Sequence, residues 1–131
     1  MTLAVTSLFG SAGADLAFAQ SAVNQLLPCD SKELRYAVKT AVGFLAQVGM
    51  KTSDVLKSPS VIASLKEDKA GSDYRICSSS INFIYGEPMT VTERISQNGR
   101  VTRTLGYMTG VGKLGTFELN SAWTNIPQGE Q

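Results

Sequence analysis

Residues 89–107 read MTVTERISQNGRVTRTLGY, and the fold follows from the loop at their centre. Apolar and polar residues alternate on each side of Asn98 and Gly99, as they do in two strands joined by a tight turn. A two-residue loop would divide the apolar side chains between the two faces of the hairpin. A loop of residues 97–99, with Gly99 in the left-handed conformation, keeps them on one face, so the sequence predicts this longer loop.

The three-residue loop fixes which residues face each other across the hairpin. Val91 then pairs with Leu105 on the apolar face, and Glu93 pairs with Arg103 on that same face. The opposite face is polar and is expected to meet water or a partner; it carries Thr90, Thr92, Arg94, Arg100, Thr102 and Thr104.

The second half of the chain is rich in β-branched and aromatic residues separated by glycine, which is typical of strands. It predicts an antiparallel meander of four strands at residues 74–85, 89–96, 100–107 and 114–123. Apolar Phe117, together with Leu119 and Trp123, alternates onto one face of the last of these strands.

The first half shows apolar residues at helical spacing instead. A first helix is predicted at residues 14–27, ended by Pro28. A second helix begins at the capping pair Asp30 and Glu33 and ends at Gly49. Its apolar face is predicted to carry Leu34, Val38, Ala41, Val42, Leu45 and Val48.

A third, short helix is expected to begin at Ser58 as N-cap, with Pro59 at its first position, and to end before Gly71. Residues 52–57 would add one helical turn ahead of it. The apolar residues 3–9, followed by glycines, predict a short strand or an ordered arm at the start of the chain.

These elements predict an α+β fold in which N-terminal helices pack on a C-terminal antiparallel meander sheet of about four strands. A chain of 131 residues suits one domain. We therefore expect a single domain over residues 1–125, with residues 126–131 as a tail or the start of a flexible linker.

Composition limits the partners and the compartment. The formal net charge is +1, and no apolar stretch approaches the roughly 20 residues that a bilayer-spanning helix needs, so we expect no membrane partner. Without a recognisable export signal, Cys29 and Cys77 are expected to be thiols rather than a disulfide. The predicted location is the cytoplasm or the inside of a viral particle.

The absence of histidine excludes most common catalytic and zinc-binding arrangements. The two cysteines are too far apart in sequence for a local CxxC pair, and the acidic residues follow no calcium-loop or paired-carboxylate pattern. We expect no metal and no cofactor. An enzyme built on Asp or Glu side chains remains a separate hypothesis, because such sites leave no spacing signature.

Basic residues form two local groups. Lys32, Arg35 and Lys39 share one stripe of the second helix, and Arg94 and Arg100 share the polar face of the hairpin. A solvated helix face and a polar sheet face account for both groups. They also allow an alternative function, a small RNA- or DNA-binding module that uses these five side chains.

The predicted sheet has two edges, and neither the strand at 74–85 nor the one at 114–123 carries the prolines or many lysines that protect an edge from pairing. Edge pairing would make a homodimer. Phe117 and Trp123 are the candidate interface residues.

Low charge and the lack of site motifs favour a non-catalytic protein–protein interaction or assembly protein. We expect a small phage or viral structural or assembly factor that acts as a homo-oligomer and contacts other proteins. Salt-dependent oligonucleotide binding would favour the nucleic-acid alternative, and a pocket of carboxylates would favour an enzyme.

Overall fold

The computed structural model describes residues 25–109 and 111–130. Within them, two α-helices precede a five-stranded antiparallel sheet whose strands follow one another in chain order, which confirms the predicted α+β meander. The helices are α1 (Lys32–Gln47) and α2 (Thr52–Ala63). The strands are β1 (Leu65–Ala70), β2 (Tyr74–Asn82), β3 (Pro88–Ile95), β4 (Val101–Met108) and β5 (Leu114–Leu119).

The predicted arm at residues 3–9 and most of the predicted helix at 14–27 lie outside the described residues. Residues 25–27, the end of that predicted helix, are not helical. The C-terminal residues include a 3-10 turn at Gln128–Glu130, and the domain boundary at residue 125 stays a prediction.

The fifth strand is β1, which the sequence prediction placed in the third helix. Its sequence, LKEDKA, has neither an apolar alternation nor β-branched residues, and only Leu65 is buried. Pairing with β2, from Leu65 opposite Ser79 to Ala70 opposite Arg75, determines the extended conformation. A strand whose side chains are nearly all in solvent has no sequence pattern from which to predict it.

The predicted start of the third helix at Ser58 is also wrong, because Pro59 lies inside α2 rather than at its first position. Proline has no N–H to donate to the carbonyl four residues earlier, that of Val55. The Ser58 hydroxyl instead donates to the Val55 carbonyl at 2.7 Å. This bond satisfies the carbonyl that Pro59 leaves without its usual donor, so the helix continues through the proline.

Helix α1 forms where it was predicted, but its N-cap is Ser31 and not Asp30. The Ser31 hydroxyl accepts from the Leu34 N–H at 3.3 Å. Gly49 follows the C-terminus with φ of 110°, as a left-handed terminating residue requires. The predicted apolar face is buried except for Val48, which is exposed beyond the last helical turn.

The central hairpin has the predicted register. Val91 pairs with Leu105, Glu93 with Arg103 and Ile95 with Val101. Gly99 adopts φ of 81°, so the three-residue loop is confirmed.

Both helices cover one face of the sheet, which we call the inner face. Helix α1 packs against α2, β5 and a 3-10 turn at Ser121–Thr124, while α2 packs against β2. The core between them includes Leu34, Val38, Val61, Leu65, Phe83, Met89, Val91 and Leu105, all buried. The outer face carries the predicted polar row of β3 and β4.

Cys29 and Cys77 form a disulfide, which corrects the expectation of two thiols. The bridge joins the segment before α1 to the centre of β2, where the Cys77 side chain is fully buried. Spacing could not predict it, because 48 residues separate the two cysteines and only the packing of helix on sheet brings them together.

Two predicted strands end early. Strand β2 stops at Asn82 and a 3-10 turn, Ile84–Gly86, follows it. Strand β5 stops at Leu119, so Trp123 lies on the 3-10 turn after it and not on the strand.

Candidate interaction surface

Within residues 25–109 and 111–130, strand β5 forms one edge of the sheet, and its outward backbone groups can be assigned from the hairpin that precedes it. The Thr109 N–H donates to the Lys113 carbonyl at 2.7 Å, and hydrogen-bonded pairs alternate along an antiparallel ladder. In the observed register, odd-numbered residues of β5 therefore bond to β4. The residues whose N–H and C=O groups point to the open edge are Leu114, Thr116 and Glu118.

The opposite edge, β1, is protected. Five of its six residues are exposed, and four of these are charged: Lys66, Glu67, Asp68 and Lys69. The register also shifts between Glu67 and Lys69. Charged side chains and bulges discourage a further strand from pairing, so the expectation of two unprotected edges is wrong for this one.

Three aromatic rings cluster on the inner face beside the β5 edge. The ring centroids of Phe44 and Trp123 lie 5.5 Å apart, those of Phe117 and Trp123 6.1 Å apart, and those of Phe44 and Phe117 6.3 Å apart. Phe44 of α1 nevertheless remains 47% exposed. The structure thus brings together the two predicted interface residues, Phe117 and Trp123, and adds a third.

Sequence reasoning missed Phe44, although a signal was available. Phe44 lies outside the apolar stripe assigned to α1, and a large aromatic residue off that stripe indicates either extra packing or an exposed contact surface. In the structure Phe44 combines packing with exposure. Its ring stacks with Trp123 and Phe117, while nearly half of the residue's surface is exposed.

A cleft of about 380 Å³ lies where β5 ends and the 3-10 turn begins. Phe117, Leu119 and Trp123 form its apolar part, and Asn120 and Ser121 are among its polar lining. At the other end of β5, two apolar side chains are exposed: Val111 of the β4–β5 turn at 80% and Leu114 at 68%. One end of β5 thus borders a cleft, and the other end has two exposed apolar side chains.

A buried ion pair supports the strand next to this edge. Arg103 on β4 donates to Glu93 on β3 at 2.7 Å, with both side chains essentially inaccessible to solvent. The Leu27 N–H donates to both Glu93 oxygens, at 3.0 and 3.1 Å, and Arg103 also donates to the Gln25 carbonyl at 2.9 Å. The pair therefore fixes the segment before α1 on the inner face of β3 and β4.

The basic residues predicted for nucleic-acid binding do not form one surface. Lys32, Arg35 and Lys39 lie on α1, on the helical side of the sheet. The Arg35 guanidinium donates to the Ala63 carbonyl at 3.0 Å, where a cation stabilises the C-terminus of α2. Arg35 thus has a structural role between the helices.

Arg94 and Arg100 lie at the hairpin end of the sheet. Arg94 points to the outer face and stacks over the Tyr74 ring, 5.5 Å from its centroid. Arg100 borders the cleft at the end of β5. Since α1 and the outer face are on opposite sides of the sheet, Arg94 lies away from the three basic residues of α1.

No cluster of three or more potential metal-ligating side chains is present among the described residues. In the same part of the chain, neither helix is long and apolar enough to cross a bilayer. The most distinctive surface of the described residues is therefore the β5 edge with its aromatic cluster.

Comparison with protein-family models, with curated proteins and with solved structures gave no match to this chain.

Proposed function

We propose that this protein is a non-catalytic assembly protein that associates with itself through the β5 edge. The observation that carries the proposal is that, among the described residues, an unpaired row of backbone donors and acceptors on β5 runs beside an aromatic cluster, the partly buried Phe117 and Trp123 with the exposed Phe44. A free edge supplies backbone pairing, and tryptophan is enriched among the few residues that dominate the binding energy of typical interfaces.

The difference between the two edges supports self-association through β5. Strand β1 carries four charged residues, whereas β5 carries one, Glu118, and exposes apolar Leu114. An unprotected, partly apolar edge is an aggregation hazard in a monomer unless a partner covers it. A second copy of the same strand covers the β5 edge of each copy in a finite two-fold assembly, and the charged β1 strands remain as the outer edges.

The setting that best suits this assembly is a phage or viral particle, with the chain as a structural or assembly factor that contacts other proteins. The Cys29–Cys77 disulfide supports a particle more than a permanently reduced cytoplasm, because disulfides persist on virions and in other oxidising surroundings.

The test is light scattering of the full chain over a range of concentrations, with Thr116→Pro as the probe. Proline removes an N–H that faces the open edge and leaves the bonds to β4 intact. We expect a dimer or larger species for the wild type and a dissociation constant raised at least tenfold for Thr116→Pro. Thr116→Ser keeps both the N–H and the hydroxyl of this residue, so it should associate like the wild type.

A monomer at every concentration would refute the proposal. The same measurement with a mixed RNA and DNA oligonucleotide pool, at low and physiological salt, tests the alternative. A mass that rises with oligonucleotide only at low salt would favour the nucleic-acid module, since phosphate contacts weaken steeply with salt.

A further inference from the structure

We propose that the partner strand on the β5 edge is an antiparallel second copy of β5 centred on Phe117. The exposed Val111 of each copy then contacts the cleft beside Trp123 of the other. This inference rests on the proposed function and specifies the register and the contacts of that same surface.

Two-fold symmetry leaves few registers. Residues directly opposite each other in a sheet point to the same face, and only even-numbered residues of β5 offer their backbone groups to the open edge. The symmetric pairs of β5 strands that overlap over the greatest length are therefore centred either on Thr116 or on Phe117.

The side chains distinguish these two registers. Centring on Thr116 would place apolar Leu114 opposite the carboxylate of Glu118 in the partner copy. Centring on Phe117 places Thr116 opposite Glu118, where a hydrogen bond is available, and brings the two Phe117 side chains together across the axis. Aromatic pairs of this kind stabilise adjacent strands, so the Phe117 register is the more favourable.

The Phe117 register also joins the two aromatic clusters. Phe117 already stacks with Trp123 and Phe44 within one copy, and Phe44 is exposed beside it. Across the axis the three rings of each copy form one continuous apolar layer. The exposed fraction of Phe44 would be buried there, which accounts for a large aromatic residue on the surface of α1.

The ends of the strands are complementary in the same register. Leu114 of one copy lies opposite Asn120 of the other, so the β4–β5 turn that precedes Leu114 and holds Val111 lies beside the residues that follow Asn120 in the partner. It reaches the 3-10 turn at Ser121–Thr124, beside the cleft lined by Leu119 and Trp123. The exposed Val111 is thereby placed against a cleft of mixed lining whose apolar wall includes Trp123.

Cysteine cross-linking of the full chain tests the register. At a centre on Phe117, the Cα atoms of that residue and its symmetry mate are about 4.5 Å apart, which is within disulfide range. The two Thr116 Cα atoms are then about 7–8 Å apart, which is beyond it. After mild oxidation, Phe117→Cys should give a covalent dimer on a non-reducing gel, and Thr116→Cys should stay largely monomeric.

A second pair of variants keeps the Phe117 ring. In the proposed register, Thr116 lies opposite Glu118 of the partner. An equimolar mixture of Thr116→Cys and Glu118→Cys chains should therefore form a hetero-linked dimer, while neither variant should cross-link alone. Efficient linking of Thr116→Cys to itself would overturn the register.

The cleft contact is tested with Val111→Asn. A neutral polar side chain loses the apolar contact with Trp123 of the partner and should raise the dissociation constant about threefold or more. Leu56→Asn is the matched control, since Leu56 is 76% exposed on α2, away from the β5 edge, and should not change it. Equal effects of the two variants would refute the Val111 contact.

The outcomes distinguish failure of the proposed register from failure of the proposed self-association. A dimer by light scattering in which none of the cysteine variants cross-links would place the interface elsewhere and overturn the inference while self-association remains. A monomer in light scattering would overturn both.

Discussion

At the scale of single residues, the most consequential feature is the pair of opposite charges inside the core. Glu93 and Arg103 occupy positions that the alternation of β3 and β4 assigns to the apolar face, and the predicted register placed them opposite each other. Their depth, and their bonds to the backbone of Leu27 and Gln25, could not be predicted, because those partners lie more than sixty residues away.

Removing one member of this pair should be far worse than removing both. Glu93→Leu leaves the Arg103 charge buried and uncompensated, which costs about 3–5 kcal/mol in such sites. The double variant Glu93→Leu with Arg103→Met removes both charges and should lose much less than the sum of the single variants. Urea unfolding followed by the fluorescence of Trp123, the single tryptophan, measures each free energy of unfolding.

Arg103→Met alone is the second single variant of this double-mutant cycle. All variants are measured at the same protein concentration. Additive effects of the two single substitutions would mean that the buried charges do not stabilise each other and would contradict the ion pair as described.

At the scale of elements, α2 departs from the rule that a proline marks the first turn of a helix. The rule predicted a helix that begins at Ser58 and Pro59, yet α2 continues through Pro59. The rule fails because Ser58 supplies its hydroxyl to the Val55 carbonyl, and because the buried Val61 and Ile62 hold the following turn in the core. Packing of the helix on β2 supplies the rest of the stabilisation.

This account predicts that Ser58 and Pro59 depend on each other. Ser58→Ala should destabilise the protein by about 1 kcal/mol, because a helical carbonyl then lacks a donor. In a Pro59→Ala background, the restored backbone N–H at this position bonds to the Val55 carbonyl, and the cost of Ser58→Ala should be smaller. A double-mutant cycle by urea unfolding checks this, and equal costs in both backgrounds would show that the hydroxyl has no such role.

At the scale of the whole molecule, the disulfide links the segment before the helices to the middle of the sheet. Cys29 and Cys77 close a loop with a sequence separation of 48. A cross-link over a loop of this length stabilises mainly by restricting the unfolded chain. It also fixes the start of α1 relative to β2, and so helps to orient the helix that carries Phe44.

The double variant Cys29→Ala with Cys77→Ala should therefore lower the free energy of unfolding by about 2–4 kcal/mol. Thermal or urea unfolding with and without reductant provides the measurement. Reductant should destabilise the wild type and leave the double variant unaffected. A wild type that is equally stable in both conditions would contradict a structural disulfide.

The sequence by itself determined the α+β class, the meander, the α1 helix and the register of the β3–β4 hairpin. Each rests on a local periodicity or on a residue with special backbone freedom, such as Gly99 in its turn. These signals depend only on neighbours along the chain, so they can be recognised from the sequence alone.

Only the tertiary structure decided the charged strand β1, the disulfide, the buried surroundings of Glu93 and the meeting of Phe44, Phe117 and Trp123. The physical reason is common to all four, since each depends on contacts between segments distant in sequence. Strand β1 is extended because β2 pairs with it, and the aromatic cluster exists because α1 packs beside β5. The pattern of neighbouring residues does not show which distant segments of the chain come together.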